Sequence, residues 1–117
     1  MAGRLTTHVL DTAQGKPGAG IKVEVYSIEG ERTLVRQVRT NSDGRTDQPI
    51  LAPADFRSGE WELVFHVGAY FAKQDVEQSN PPFLDEVVIR FGIADSDQHY
   101  HVPLLVSPWS YSTYRGS

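Results

Sequence analysis

Apolar and polar residues alternate singly along most of the chain, and a period of two marks strands with one buried face. Leu5, Thr7 and Val9 fall on one side of a first strand, opposite Arg4, Thr6 and His8. Ile21, Val23 and Val25 alternate with Lys22 and Glu24, and Trp61, Leu63, Phe65 and Val67 with Glu62, Val64 and His66. Further apolar faces run through Val87, Ile89, Phe91 and Ile93, and through Tyr100, Val102, Leu104 and Val106. A last strand is predicted from Trp109 to Tyr114, with weaker patterns over Thr33–Thr40 and Thr46–Ile50.

Turn-forming clusters separate these runs: Gln14 to Gly18, Glu29-Gly30, Asn41 to Gly44, Ser58-Gly59, and Ser79 to Pro82. One stretch leaves room for a short helix, Tyr70 to Glu77, which the Ser79–Pro82 segment would end. About eight short strands with regular turns and one helix predict an all-β, two-sheet antiparallel β-sandwich. A chain of 117 residues closes one such core, so residues 1–117 form a single domain. No repeat or linker interrupts it.

Composition narrows the partners. Apolar residues make up 39% and charged residues 22%, which suits a globular domain rather than a disordered one. The net charge of -4 is spread without a basic run, which argues against nucleic acid and anionic membranes. Cysteine is absent, which removes disulfides, thiol nucleophiles and thiolate metal sites together. The first residues contain no apolar stretch of signal-peptide length, and no segment approaches the roughly 18 apolar residues of a membrane span. The ending Arg115-Gly116-Ser117 is not a peroxisomal address. The expected location is cytoplasmic.

Strand parity singles out the candidate chemistry. His8 shares its face with Arg4 and Thr6, while His101 and His99 lie opposite Tyr100, Val102 and Leu104. With the apolar faces turned inward, His8 and His101 point out of the sandwich, where Lys, Glu and Thr are the usual occupants. Imidazoles there suggest a groove or a subunit interface. His66 and His99 are read as ordinary surface histidines. Arg45 follows the Asn41–Gly44 turn, either as a solvated loop charge or as a forked clamp for a planar, carbonyl-rich ligand. Trp109, Tyr111 and Tyr114 lie within nine residues of the end, which implies an ordered tail packed against core, partner or ligand. A His-x-His pair plus a third histidine is also a zinc ligand set, though of low specificity. A Ser-His-Asp hydrolase is disfavoured, because no Gly-x-Ser-x-Gly elbow is present.

Four segments carry a family resemblance. His8–Pro17 resembles the N-terminal signature of the transthyretin family, and Tyr100–Tyr114 its long C-terminal signature. Thr40–Thr46 and Pro81–Phe91 look like family segments in the right order. The hormone carriers of that family have Lys, Glu and Thr where this chain has His8, Arg45 and His101. This chain also ends Tyr114-Arg115-Gly116-Ser117, like the hydrolase branch.

The resemblance implies hydrolysis of 5-hydroxyisourate, the unstable product of urate oxidation, to 2-oxo-4-hydroxy-4-carboxy-5-ureidoimidazoline, with no metal or other cofactor. It implies a homotetramer, a dimer of dimers, with active sites in a channel where dimers meet. In that scheme His8 and His101 activate water, and Ser117 relays or orients it. Arg45 binds the substrate's carbonyl oxygens, Tyr114 positions its ring, and Arg115 supports the tail or faces the substrate. The alternative is a non-enzymatic carrier that holds a small aromatic ligand in the same channel. A plain adhesion module would have no reason to gather histidines and arginine on outward faces.

Overall fold

The computed structural model describes residues 3–116. Its strands are β1 (Arg4–Asp11), β2 (Lys16–Pro17), β3 (Lys22–Glu29), β4 (Glu31–Arg39), β5 (Gly59–His66), β6 (Glu86–Ile93), β7 (His99–Val106) and β8 (Tyr111–Thr113), with one helix, α1 (Val67–Ala72). They form two four-stranded sheets, β2-β1-β7-β8 and β4-β3-β5-β6. The inner faces are those marked by the alternation: Leu5 and Val9, Val23 and Val25, Trp61, Leu63 and Phe65, and Leu104 and Val106 are all buried. Burying such side chains contributes about 1.5–3 kcal/mol each, and this shared core holds the two sheets together.

Two buried polar groups anchor β1. Thr7 donates its hydroxyl proton to the Val102 carbonyl at 2.6 Å. Asp11 accepts from the backbone N–H groups of Ala13 and Gln14, each at 3.0 Å, and from the Tyr70 hydroxyl at 2.8 Å. A buried carboxylate needs such partners, and these fasten the end of β1 to α1.

Among the described residues every strand pair is antiparallel except one: β1 runs parallel to β7. Alternation reports which way a side chain points and is blind to strand direction. Along this pair Arg4 faces His99, Thr6 faces His101 and His8 faces Pro103. Paired residues point the same way, so the two histidine-bearing outer faces merge into one surface.

The helix differs from its predicted bounds. It covers Val67–Ala72 instead of Tyr70–Glu77 because burial of Val67, Tyr70 and Phe71 against the core sets its position. The chain leaves it through tightened turns in which Lys73 N–H donates to Tyr70 and Gln74 N–H to Phe71. Thr46–Ile50 forms no strand; only Leu51 bridges, to Leu5. The final strand shortens to Tyr111–Thr113, and Gly116 rejoins the sheet by bridging His101.

Candidate active site

Thr6 lies between two imidazoles on the outer face of the β1/β7 pair. Its hydroxyl is 2.7 Å from His99 Nε2 and 2.9 Å from His101 Nδ1. His8 follows two residues along β1 on the same face and is half-buried, like both histidines of β7.

Arg45 reaches this surface through its loop. The Asn41 side-chain oxygen accepts from the N–H of Asp43 at 2.9 Å and of Arg45 at 3.2 Å, an Asx turn of the kind Asn favours. Gly44 has φ +76°, a left-handed conformation natural to glycine. Its carbonyl accepts the Val9 N–H at 2.8 Å, so the loop is bonded to β1 at the residue after His8.

A hollow of about 330 Å³ opens on this face, lined by Arg4, Thr6, Arg45, Gln48, His99 and His101 among others. A second, of about 570 Å³, is lined by His101, Tyr114, Arg115 and Gly116.

Arg4 and Arg45 outnumber the one carboxylate in the lining of the first hollow, Asp47, and the imidazoles respond to the basic groups. Burial first and the Arg45 guanidinium second hold His8 below the ordinary 6.5, against a weaker opposite pull from the Asp43 backbone and carboxylate. Burial, then His99, Arg45 and His8, lowers His101 in the same direction. His99 is lowered by burial and then by Arg4 and Arg115. Neutral imidazoles at neutral pH can accept protons, and a nearby guanidinium favours negative charge on a bound molecule.

The structure therefore brings Arg45 and His101 to one hollow, with Tyr114 beside His101 in the second, whereas His8 lines neither and sits farther along the same outer face, paired with Pro103. Gly116 closes the tail against β7: its N–H donates to the His101 carbonyl at 2.7 Å. A Cβ on Gly116 would lie 2.8 Å from His101 Cδ2, so only glycine lets the tail pass so close. Arg115 lines the second hollow and also reaches the start of β7. Its guanidinium lies 4.0 Å from the Tyr100 ring centroid and donates to Gln98 Oε1 at 2.9 Å, which ties the tail to the start of β7. Ser117 lies outside the described residues.

The tail's backbone is held, but its aromatic side chains are not buried within this chain. Trp109, Tyr111 and Tyr114 are 55%, 46% and 62% exposed, and the Trp109 ring lies 6.0 Å from that of Phe83, itself exposed.

Thr6 and His99 escaped the sequence reading. His99 had the right parity to join His101, but only the pairing of β1 with β7 reveals that Thr6 connects them. His66, read from the sequence as an ordinary surface histidine, is half-buried, with Nε2 2.7 Å from Glu24 Oε1. Among the described residues, no group of three or more His, Asp or Glu side chains gathers as metal ligands. The zinc ligand set weighed from His-x-His is not assembled there, because His99 Nε2 and His101 Nδ1 both address Thr6.

Comparison with known proteins agrees with this architecture. A model described as the HIUase/Transthyretin family matches residues 5–116. A 5-hydroxyisourate hydrolase of Pseudomonas aeruginosa is 60% identical over 116 residues, covering 98% of this chain and 92% of that one. The solved structure of Klebsiella pneumoniae 5-hydroxyisourate hydrolase is similar with TM-score 0.81 and 34% identity, covering 100% of both chains. The crystal structure of an (S)-allantoin synthase is similar with TM-score 0.94 and 46% identity over 99% of this chain, which spans 44% of that longer chain.

Proposed function

The chain belongs to the HIUase/transthyretin family, and we propose that its imidazole-lined hollow hydrolyses 5-hydroxyisourate to 2-oxo-4-hydroxy-4-carboxy-5-ureidoimidazoline, a step in urate breakdown. The observation that carries this reading is the hollow shared by His101 and Arg45, with His8 farther along the same outward sheet face, at positions where an inert sandwich would carry ordinary surface residues.

The reaction adds one water across a ring C–N bond. One imidazole of the His8/His101 pair accepts a proton as the water oxygen bonds to the carbonyl carbon. Arg45 stabilises the oxyanion that develops. The C–N bond then breaks, and the same proton passes to the departing ring nitrogen. General acid–base help of this kind gives about 10²–10⁴-fold, and a histidine is suited to it near neutral pH. Tyr114 positions the flat ring from beside His101, Arg115 holds the tail in place, and Ser117 orients the water. The chemistry proposed here uses no metal or organic cofactor.

The working unit in this reading is a homotetramer, a dimer of dimers, with sites where dimers meet. Three features support it: β8 is an open sheet edge, the tail aromatics are exposed in the single chain, and the hollow needs a cover to exclude water. We place the enzyme in the cytoplasm; among the described residues no helix is long and apolar enough to cross a membrane.

The test is direct. Urate oxidase generates 5-hydroxyisourate from urate, and its ultraviolet decay is followed with and without this protein. Decay faster than the spontaneous rate, and lost by more than about a hundredfold in His101→Ala, supports the reading. A decay rate equal to the spontaneous one sinks it.

A further inference from the structure

Thr6 has one hydroxyl proton, yet its oxygen lies within hydrogen-bond distance of two imidazole nitrogens. It can donate to only one of them and must accept from the other. This allows two arrangements. If Thr6 donates to His101 Nδ1, the ring proton of neutral His101 sits on Nε2, and the nitrogen left to face the hollow has no lone pair to offer. If Thr6 instead accepts from His101 Nδ1–H and donates to His99 Nε2, His101 Nε2 is bare. Only the second arrangement makes His101 a base.

His99 is what favours the second. Its Nε2 gives the Thr6 proton a destination 2.7 Å away, the shorter of the two contacts. Without that acceptor the hydroxyl would be free to turn its proton onto His101. We propose that Thr6 and His99 are positioning residues, a hydroxyl–imidazole pair that holds His101 with its proton on Nδ1 and its Nε2 bare toward the hollow. The consequence for catalysis rests on the hydrolase reading above; the protonation pattern itself does not.

The choice of a neutral pair has an electrostatic reason. Histidine bases are often oriented by a carboxylate, which also stabilises the imidazolium. Here the groups acting on His99 and His101 are Arg4, Arg115, Arg45 and His8, all basic; Asp43 acts on His8, and Asp47, which also lines the hollow, accepts from the Asn41 side chain. A carboxylate between the β7 histidines would cancel the positive field that Arg45 supplies to a developing oxyanion. A threonine fixes the ring without adding charge. When His101 takes the proton of water at Nε2, its Nδ1–H already points at an acceptor, so nothing has to reorient.

The experiment reads tautomers and turnover in the intact protein, using nitrogen NMR of ¹⁵N-histidine above the histidine titrations together with decay of enzymatically generated 5-hydroxyisourate. The wild type is expected to show His101 with a protonated Nδ1 and a bare Nε2. Thr6→Val keeps the shape and removes the hydroxyl. It should mix the His101 tautomers and lower kcat by about tenfold or more with KM within about twofold. His99→Leu should behave alike, and His99→Gln, whose side-chain oxygen can accept the Thr6 proton, should restore most of kcat and the tautomer. A wild-type His101 protonated on Nε2 overturns the proposal. So does a fall in kcat without a tautomer change, a tautomer change without a fall, or equal losses in both His99 variants. If the wild type fails to speed substrate decay, the hydrolase reading fails separately, and the NMR comparison still decides whether Thr6 and His99 set the His101 tautomer.

Discussion

Two glycines with nearly the same backbone angle separate local strain from site assembly. Gly15 has φ +67° and Gly44 has φ +76°. An added Cβ meets nothing within 4 Å at Gly15, but at Gly44 it would overlap the Val9 carbonyl oxygen and crowd Gly18 N at 3.2 Å and Pro17 Cβ at 3.3 Å. Gly15→Ala should therefore cost only the left-handed strain of an L-residue, about 1–2 kcal/mol. Gly44→Ala carries the same strain and also disturbs two hydrogen bonds, Val9 N–H to Gly44 and Gly18 N–H to Val9. At about 0.5–1.5 kcal/mol for each bond, its total cost comes to about 2–5 kcal/mol. Because that loop carries Arg45 beside His8, the overlap must also shift the guanidinium, and a displacement of about 1 Å can reduce catalysis about a hundredfold. Urea unfolding at one fixed protomer concentration gives the stabilities, since any assembly makes them concentration-dependent. Turnover of 5-hydroxyisourate gives the activities. Equal destabilisation by the two substitutions, or a Gly44→Ala protein with wild-type kcat/KM, would refute the idea that the Val9–Gly44 contact places Arg45.

Three other perturbations probe the site and its support. The acid limb of the kcat/KM profile should fall below pH 6.5, because the base works neutral and both His8 and His101 are lowered. Arg45→Gln removes one cause of that lowering and should move the limb upward; a limb above 6.5 in the wild type contradicts the assignment. Deleting residues 114–117 should abolish turnover while leaving the far-ultraviolet circular dichroism unchanged, and a truncated protein of normal activity would make the tail purely structural. Tyr70→Phe removes the hydroxyl that donates to buried Asp11 and should cost about 1.5–3 kcal/mol in urea unfolding, with little change in kcat; unaltered stability would mean that water replaces the bond.

Much of this molecule is readable from one dimension. The pleat turns successive side chains to opposite faces, so alternation alone assigned Leu5, Trp61, Leu63 and Leu104 to the core and set His8 and His101 outside it. The turn residues and the signature segments at both ends are equally local facts. Partnership is not local. Whether β1 lies beside β7, and in which direction, depends on how distant apolar faces bury one another, and the period of two is the same for either direction. For that reason the parallel register that puts Thr6 next to His101 left no mark in the sequence, and His99 passed for an ordinary surface residue. The helix misplacement has the same origin: the room before Ser79–Pro82 suggested Tyr70–Glu77, yet burial of Val67 and Phe71 against the core decided where the turns begin. Chain order chose the faces, and long-range packing chose which faces meet.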